Sequence, residues 1–196
     1  MEPLNAIIDL KAEACTVWCG SQFQTIDQLS VATASGLKPE QVTLNTMQAG
    51  GGFGRRANPS SDYLVEGVNI AKAMKQAGID APVKIIWSRE DDIRGGYYRP
   101  LFVHRVVAGL DAGNALRSWS HTVVGQSILK GTPFEKYLVK DGVDSSATEG
   151  VVDTPYRLPN LQGSVHHPEV NVPVLWWRSV GHSHTAFVME TMVDEL

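Results

Sequence analysis

A run of glycines between a predicted strand and a predicted helix constrains the fold of this chain more than any other feature. Residues 41–48, QVTLNTMQ, alternate as a strand does and lead directly into AGGGFGRR. After the glycines, Asn58 is a plausible N-cap and Pro59 a good first helical residue. Apolar residues then recur at spacings of three and four up to Gly78, where the helix should end. The predicted buried face is Tyr63, Gly67, Ile70, Met74 and Ala77.

The strands on either side of this segment indicate an α+β fold with a mixed or antiparallel sheet. A first hairpin is predicted in residues 5–22, with its turn near Lys11–Glu13. A second, longer hairpin is predicted in residues 101–125, with its turn at Asp111–Asn114. The runs APVKIIWS and LQGSVHHPEVNV are read as further extended segments.

Two further helices complete the predicted pattern. Residues 25–36 should form one, with Thr25 as its cap and Gly36 closing it. The C-terminal SHTAFVMETMVDEL has apolar residues at helical spacing and should form the other. REDDIRGG is predicted to be a polar turn, and residues 127–160 to be loops with short helical pieces. Because the first strand starts at once and the last helix lacks a cap, we expect residues 1–196 to be a single fragment of one domain, excised from a longer subunit.

Composition narrows the function classes. The chain has 17 Lys and Arg against 21 Asp and Glu, which gives a formal net charge of −4. A nucleic-acid-binding protein would normally carry a basic stripe, so this class is disfavoured. No apolar run is long enough for a membrane span, and MEPLNAIIDL lacks the basic and apolar regions of a signal peptide. These features indicate a globular chain able to bury a substantial core.

The two cysteines, Cys15 and Cys19, are predicted to be buried apolar residues. They lie four residues apart on a predicted strand, a span of roughly 13 Å, which is beyond the reach of a disulfide. Two cysteines also cannot supply the four ligands of an iron–sulfur cluster. We therefore assign them no redox or metal-binding role.

Strand, glycine turn and helix are also the parts of an anion-binding cradle. Glycines let a ligand approach the backbone N–H groups, and a helix N-terminus adds positive potential. Arg55 and Arg56 could pair with an anion there. The segment lacks the Lys-Ser/Thr end of a P-loop and the last glycine of a dinucleotide-binding fingerprint. A tight turn with two solvated arginines remains an alternative.

The glycine run and its neighbours together resemble one enzyme family. GGGFGRR follows MEPLNA by about 45 residues and precedes WWRSVGHSHTAFVMETMVDEL by about 120. ATASGLKPEQVTL, PVKIIWSREDDIRGGYYRP and YRLPNLQG also match, in the same order. Over its whole length, the chain resembles the molybdopterin-binding region of the large subunit of the xanthine dehydrogenase and aldehyde oxidase family. Within that family, it is most similar to the branch of isoquinoline 1-oxidoreductase beta subunits and related aldehyde dehydrogenases.

The resemblance implies a role for the glycine run. In this family the glycine–phenylalanine loop lies against the molybdenum centre and its pterin. Carried over by position, Gly51, Gly52, Phe53 and Gly54 would line the cofactor site, and Arg55 would lie just behind them. An anionic centre in a dry pocket suits backbone donors better than bulky side chains. Phe53 could also bound the substrate slot, although an ordinary core aromatic is the alternative.

The same resemblance implies a role for Arg178 in WWRSVGHSH. It matches an arginine that orients substrate and stabilises negative charge developing on a heterocycle in xanthine-oxidising relatives. Trp176, Trp177 and Ser179 depart from that pattern, and Ala57 replaces a substrate-binding glutamate, so a purine is a poor candidate substrate. Stacking of Arg178 on a tryptophan is the alternative.

Histidines occur before and after Arg178 in the sequence, and they raise the question of a metal site. His182 and His184 in GHSH, and His166 and His167 before a proline, have no nearby cysteine or carboxylate that completes a familiar ligand set. By the resemblance, molybdenum takes its sulfur ligands from the pterin. We therefore predict no protein metal ligand and a helix-entry role for His182. Gln22 resembles a position near the cofactor, and its role stays open.

The resemblance also implies partners. The glutamate base of the family would lie in a second molybdopterin-binding lobe of the same polypeptide, and iron–sulfur clusters on a small [2Fe-2S] subunit. The expected cofactor is molybdenum-molybdopterin, in the cytosine dinucleotide form, and the expected substrate an aromatic N-heterocycle or an aldehyde. The chain alone should be inactive and could lack the cofactor, and bacterial cytoplasm or periplasm are both open as its compartment.

Two other function classes remain as alternatives. A non-catalytic binding or assembly module could keep this fold, and a plain phosphate-binding domain could rest on the glycine turn alone. Having both the glycine run and Arg178 favours the enzyme, and we expect the two to converge at one edge of the sheet. The surface facing the second lobe should carry an apolar patch.

Overall fold

The computed structural model describes residues 2–196 and divides the chain into two compact units, Met1–Gly96 and Tyr97–Leu196. The first unit contains four strands and three helices. Its strands are β1 (Asn5–Leu10), β2 (Cys15–Cys19), β3 (Val42–Thr46) and β4 (Val83–Ile86). Its helices are α1 (Gln24–Ser35), α2 (Asp62–Gln76) and α3 (Arg89–Arg94).

The sheet of the first unit has the strand order β3-β2-β1-β4. β1 pairs antiparallel with β2 and β4, whereas β2 pairs parallel with β3. Alternate residues of β1, such as Ile8, face α1 and α2 in the core. Gly67 lets α2 approach, because a Cβ there would lie 2.9 Å from Ile8 Cγ1. Replacing Ile8 with alanine should cost about 2–5 kcal/mol, the usual range for emptying such a site.

The predicted first hairpin and the predicted strand β3 are confirmed, but two helix starts were predicted wrongly. Thr25 does not cap α1: the N-cap is Phe23, with no side-chain cap. Asn58 and Pro59 do not begin α2 either, because Asn58 Oδ1 accepts the Ser60 N–H at 2.8 Å and closes a turn instead. The helix starts after Ser61, which adopts a left-handed φ of 48°.

The buried face of α2 is also rotated from the predicted one. Tyr63 and Gly67 are buried as expected, but Ile70 and Ala77 are exposed. The residues of α2 that are buried are Tyr63, Leu64, Gly67, Val68 and Ala71. The predicted polar turn after β4 is a short helix instead, because Ser88 and Asp91 form a capping box at its start.

The second unit contains a three-stranded sheet and the C-terminal helix. Its strands are β5 (Phe102–Leu110), β6 (Leu116–Gly125) and β9 (Leu161–His166). Between β6 and β9 lie a short helix, α4 (Glu135–Leu138), and a two-stranded sheet of β7 (Val139–Lys140) and β8 (Val143–Asp144). The last helix is α5 (His182–Glu195). The sheet order is β5-β6-β9, with β5 antiparallel and β9 parallel to β6.

The long hairpin of the second unit turns where it was predicted. Asp111 Oδ1 accepts the N–H groups of Gly113 and Ala115, both at 2.9 Å. The core beneath the hairpin contains Trp119 of β6 and Met189 of α5, which confirms the predicted C-terminal helix.

Exposed apolar side chains remain on the first strand of this hairpin. Val103 and Val107 lie on the side of β5 that points away from Trp119 and Met189. In the part of the chain that the structure describes, no helix is long and apolar enough to cross a membrane. Both cysteines are free and buried, as predicted.

Candidate functional site

The glycine loop, Gly50–Arg56, joins β3 to the turns before α2 and has an unusual backbone. Phe53 adopts a φ of 53°, between Gly51 at 95° and Gly54 at 93°. A bulky aromatic residue in the left-handed region is uncommon and costs of order 1–3 kcal/mol. Such conformations persist where the surroundings fix them, and they concentrate at functional sites.

Side chains from two other segments fix the loop at both ends. Gly54 N–H donates to Gln22 Oε1 at 3.0 Å, and Gly50 N–H donates to Glu2 Oε2 at 2.8 Å. The Asn5 side chain and the Gly50 N–H lower the pKa of Glu2, so its carboxylate is charged at neutral pH. The strained conformation is therefore held from outside the loop.

The glycines between these anchors leave backbone donors accessible. The N–H groups of Gly51 and Gly52 donate to no other group within residues 2–196. A Cβ on Gly51 would overlap the Phe53 ring, and one on Gly52 would overlap the Gln22 side chain. Phe53 itself is 37% exposed. Two N–H groups without a partner among the described residues form a backbone cradle that suits an anionic or electron-rich ligand.

Arg55 of the glycine loop is buried and forms an ion pair, and its predicted place behind the cofactor stays a prediction. It is only 1% exposed, and its guanidinium donates to Asp62 Oδ1 at 3.2 Å and Oδ2 at 2.6 Å. The same group lies 5.5 Å from the centre of the Trp87 ring. Asp62 is the first residue of α2, so this forked ion pair ties the loop to the helix.

Arg56 is equally buried but serves a different strand. It is 2% exposed and donates to the carbonyl oxygens of Gly20 at 3.1 Å and Pro3 at 3.0 Å. The alternative of a turn with two solvated arginines is therefore wrong. The donors that remain accessible in the loop belong to its backbone.

A buried carboxylate braces the start of both major helices of the first unit. Asp27, in the first turn of α1, accepts hydrogen bonds from Ser21 Oγ at 2.5 Å and Ser61 Oγ at 2.7 Å. Burial raises the pKa of Asp27, while the two hydroxyl groups oppose that rise. Because Ser61 precedes α2, this contact sets where the chain leaves the glycine loop.

The Arg178 segment, Trp176–Gly181, is the second predicted site and lies in the second unit. Arg178 has a φ of 50°, and Val180 has a φ of 49°. For a β-branched valine this is a genuine outlier. Arg178 itself is exposed.

Neighbouring groups of the same unit hold this strained segment. Gly181 N–H donates to Glu149 Oε2 at 3.0 Å, and Arg99 Nη2 donates to the Trp177 carbonyl oxygen at 3.3 Å. A Cβ on Gly181 would overlap the backbone carbonyl of Ser146. Glycine is therefore required where the segment enters α5.

The histidines around this segment have structural partners. His182 begins α5, as predicted, with its Nδ1 3.4 Å from Glu149 Oε2. His167 Nδ1 donates to the Gly125 carbonyl at 2.8 Å, and its Nε2 accepts the Asp144 N–H at 3.0 Å. Among the described residues, no three His, Cys, Asp or Glu side chains are arranged to hold a metal ion.

The predicted site residues thus fall in two groups. Gly51, Gly52, Phe53, Gly54 and Arg55 lie together in the first unit, and Arg178 lies in the second. That the two segments share one site stays a prediction.

Sequence reasoning left the role of Gln22 open. The residue follows β2, and β2 pairs in parallel with β3, so both strands end at the same edge of the sheet. That register places Gln22 beside the loop that follows β3.

Comparison with known proteins gives the family. The family model for the molybdopterin cofactor-binding domain matches residues 1–196. The chain belongs to this family. The resemblance inferred from the ordered motifs is therefore confirmed, and the free N–H groups of the glycine loop fit the cofactor that gives the family its name.

Two curated relatives are similar over the whole chain. The beta subunit of isoquinoline 1-oxidoreductase from Brevundimonas diminuta is 30% identical over 198 residues, and the chain covers 24% of it. The membrane-bound aldehyde dehydrogenase [pyrroloquinoline-quinone] from Gluconacetobacter polyoxogenes is 26% identical over 208 residues, with 25% of it covered. The chain thus spans about a quarter of the length of these relatives.

Solved structures confirm the α+β fold. Quinoline 2-oxidoreductase from Pseudomonas putida 86 matches all of this chain with a TM-score of 0.79 at 17% identity, and 24% of that protein is covered. The aldehyde oxidoreductase from Desulfovibrio gigas matches 98% of the chain with a TM-score of 0.71 at 18% identity, and 20% of it is covered. At such identities the likeness shows the fold alone.

Proposed function

We propose that this chain is part of the catalytic subunit of a molybdenum hydroxylase. The whole protein would hydroxylate an N-heteroaromatic compound or oxidise an aldehyde, with water as the oxygen source. The overall reaction converts R–H and water into R–OH, two protons and two electrons. The names of the relatives, which include an isoquinoline and a quinoline oxidoreductase and two aldehyde-oxidising enzymes, support these substrate classes.

The observation that carries the proposal is the open backbone of the glycine loop. Gly51 and Gly52 present N–H groups that have no other partner within the described residues. A Cβ at either position would overlap Phe53 or Gln22, so only glycine lets these two side chains pack against the loop. When bound, the molybdenum-molybdopterin group would supply the two-electron oxidation and the transfer of oxygen derived from water. The residues that would hold it are Gly51, Gly52, Phe53 and Gly54.

Side chains of this chain have distinct roles in the proposal. Arg55 positions the loop through Asp62, since its guanidinium is already engaged there. The exposed ring of Phe53 would bound the substrate slot and keep water from the reacting carbon. Arg178, exposed in its own unit, would orient the substrate and stabilise negative charge that develops on the heterocycle or aldehyde oxygen.

The remaining parts of the proposed enzyme are partners of this chain. A second molybdopterin-binding lobe of the same polypeptide would supply the glutamate base and further cofactor contacts. A small [2Fe-2S] subunit would accept the electrons, and the cofactor would be the cytosine dinucleotide form. The isolated chain would be inactive for lack of these groups.

The first experiment is to measure molybdenum and pterin in the full-length protein, purified with its small subunit. Wild type is compared with Gly52→Ala and with the control Gly163→Ala, whose added Cβ meets no atom within 4 Å. Because Gln22 is a flexible side chain, Gly52→Ala should fold, but its Cβ would displace the Gln22 amide that holds the Gly54 N–H and fixes the loop. We expect wild type and the control to load alike and Gly52→Ala to lose most of its molybdenum.

Three other outcomes would change the proposal. Equal loading of Gly52→Ala would show that the glycine loop does not hold the cofactor. Loaded protein without turnover of aldehydes or N-heteroaromatics would refute the substrate classes. No molybdenum in any variant, where a known relative loads fully, would favour a non-catalytic module that keeps the fold.

A further inference from the structure

Three histidines of the second unit form one continuous hydrogen-bonded chain. His104 of β5 lies between the other two: its Nδ1 is 2.8 Å from His121 Nε2, and its Nε2 is 2.9 Å from His184 Nδ1. The hairpin register pairs His121 with Val106, so His104 and His121 are diagonal neighbours on the same face. His184 reaches them from the first turn of α5.

The two hydrogen bonds restrict the protonation states of the three histidines. Each needs an N–H on one ring and a lone pair on the other. In one neutral state, His184 Nδ1–H donates to His104, and His104 Nδ1–H donates to His121. His184 Nε2 then carries a lone pair and can accept a proton. His121 Nδ1 and His184 Nε2, the two outer atoms, are buried and bond to no group within residues 2–196.

A proton that arrives at His184 Nε2 can be passed inward. His184 Nδ1 releases its proton to His104 Nε2 as the new one binds, so each ring nitrogen gains or loses one N–H bond. His104 then carries both N–H groups and one positive charge. It donates to acceptors on both sides, His184 Nδ1 and His121 Nε2, without any movement of the rings. The central ring is thus preorganised to hold the proton.

The three histidine rings are neutral at physiological pH before the relay takes up a proton. Burial lowers the pKa of His104. Burial and then the neighbouring His104 lower the pKa of His121 to about 4. For His184, burial, the other two rings and Arg99 lower the pKa to about 4. Glu195 is the acidic side chain in the groove that His104 and His184 line.

His184, at one end of the row of three histidines, borders the Arg178 segment. His184, Trp177, Val180 and Gly181 line a small cavity whose volume of about 10 Å³ has room for one water molecule. Trp177 Nε1 is also a buried donor that bonds to no described residue. A water there could accept from Trp177 Nε1–H and donate to His184 Nε2. It would connect the histidines to the surroundings of Arg178.

A second space opens beside two of the three histidines. A groove of about 570 Å³ is lined by His104 and His184 together with mainly apolar side chains of β5 and α5. Phe102 stacks on His184, with ring centres 3.7 Å apart and planes at 17°. Gly125 makes room for Phe102, because a Cβ there would overlap its ring. The orientation of His184 is therefore fixed by packing.

We propose that His184, His104 and His121 form a proton relay that accepts a proton, through one water, from the reaction beside the Arg178 segment. This rests on the proposed function, in which each turnover releases two protons. The relay takes one of them at His184 Nε2 and holds it on His104; His104 Nε2 then returns a proton to His184 Nδ1, and His184 Nε2 releases its own proton to water. The three histidines act through proton transfer and touch neither substrate nor cofactor.

The relay can be tested without any activity. In the full-length protein labelled with ¹⁵N in its histidine rings, NMR should show scalar couplings across both N–H···N bonds at pH 7. His104 should receive the first proton as the pH falls, and His104→Phe should abolish both couplings. His166→Ala, an exposed position, is the control and should leave them unchanged. Absent couplings, or three rings that titrate independently near pH 6.5, would overturn the proposal.

Kinetics then test whether the relay serves the reaction. In the loaded enzyme, His104→Phe should lower kcat by about 10²-fold, the smaller end of general acid–base effects, with KM little changed. The solvent isotope effect should rise and the acid limb of the pH profile should move, neither of which a purely structural loss would cause. For a His184→Ala variant, added imidazole should restore part of the rate. An unchanged kcat in all variants would overturn the relay, whereas couplings in a protein without turnover would refute the proposed function alone.

Discussion

The ion pair between Arg55 and Asp62 offers a sharp test of how the glycine loop is held. Arg55 is almost fully buried, whereas the Asp62 side chain is 24% exposed. In Asp62→Asn, the arginine keeps its charge and its place but loses the carboxylate that balances it. The substitution removes one charge and adds no bulk, so its effect reports on the pair itself.

The expected cost follows from the burial of the charge that stays. Breaking a buried ion pair from one side typically costs 3–5 kcal/mol, because the other charge is left uncompensated. The partial exposure of Asp62 lets water reach the site, and Trp87 retains roughly 0.5–1 kcal/mol of cation–π attraction. We therefore expect about 3 kcal/mol. With a urea m-value of about 2 kcal/mol/M, the unfolding midpoint should fall by about 1.5 M.

The assay is a urea titration at pH 7, with amide hydrogen exchange of α2 as a second, local measurement. Asp80→Asn is the matched control, because Asp80 pairs with Lys11 and Lys75 at 3.4 and 3.6 Å but is 66% exposed. Surface pairs of that kind are worth about 0–1 kcal/mol, so the control should hardly move the midpoint. If the two variants are equally stable, Arg55 is not an anchor that depends on Asp62, and its position behind the loop needs another cause.

Three further predictions concern the packing and protonation of other groups. Gly181→Ala should cost about 1–3 kcal/mol in free energy of unfolding while Gly163→Ala costs less than about 0.5, because only the first added Cβ meets a backbone carbonyl. Burial raises the pKa of both cysteine thiols to about 11, so iodoacetamide at pH 8 should modify them only after unfolding in urea. The pKa of His121 and that of His184 fall from 6.5 to about 4 in the folded state, so the unfolded chain binds more protons. Their contribution to stability should be complete above pH 6.5 and lost toward pH 4, and the phenylalanine variant of His121 should flatten that part of a stability–pH curve.

The parts of the fold that could be predicted are those fixed by local pattern. Both hairpins, β3 and the C-terminal helix follow from alternation or helical spacing within a few residues. The start of α2 could not be predicted, because Asn58 and Pro59 look like a better helix start than the left-handed Ser61. The hydroxyl of Ser61 is held by Asp27, 34 residues away in sequence, and such a contact has no local signal.

In the candidate site too, features with a local sequence signal could be predicted, and features that depend on distant segments could not. The resemblance pointed to the glycine loop and Arg178, but it could not show that Arg55 and Arg56 are buried, since arginines are mostly exposed. Their burial depends on a carboxylate and carbonyl groups contributed by other segments. The histidine chain was missed because it joins three elements. The alternation of the hairpin already put His104 and His121 on one face, and that signal was available.

Backbone strain gives a line of reasoning about the site that does not depend on resemblance. Most non-glycine residues with positive φ here are Asn, Asp or Ser, which tolerate that region in turns. The others are Phe53, Arg178 and Val180, and all three lie in the two segments that the family resemblance singled out. Nothing in their local sequence favours these conformations, so neighbouring groups must impose them. In the glycine loop those groups are Gln22 and Glu2, and in the Arg178 segment they include Glu149 and Arg99, each within the same unit as the residues it holds. Strain that is fixed from outside is what a binding surface requires, because it holds the backbone in the ligand-ready conformation before the ligand arrives.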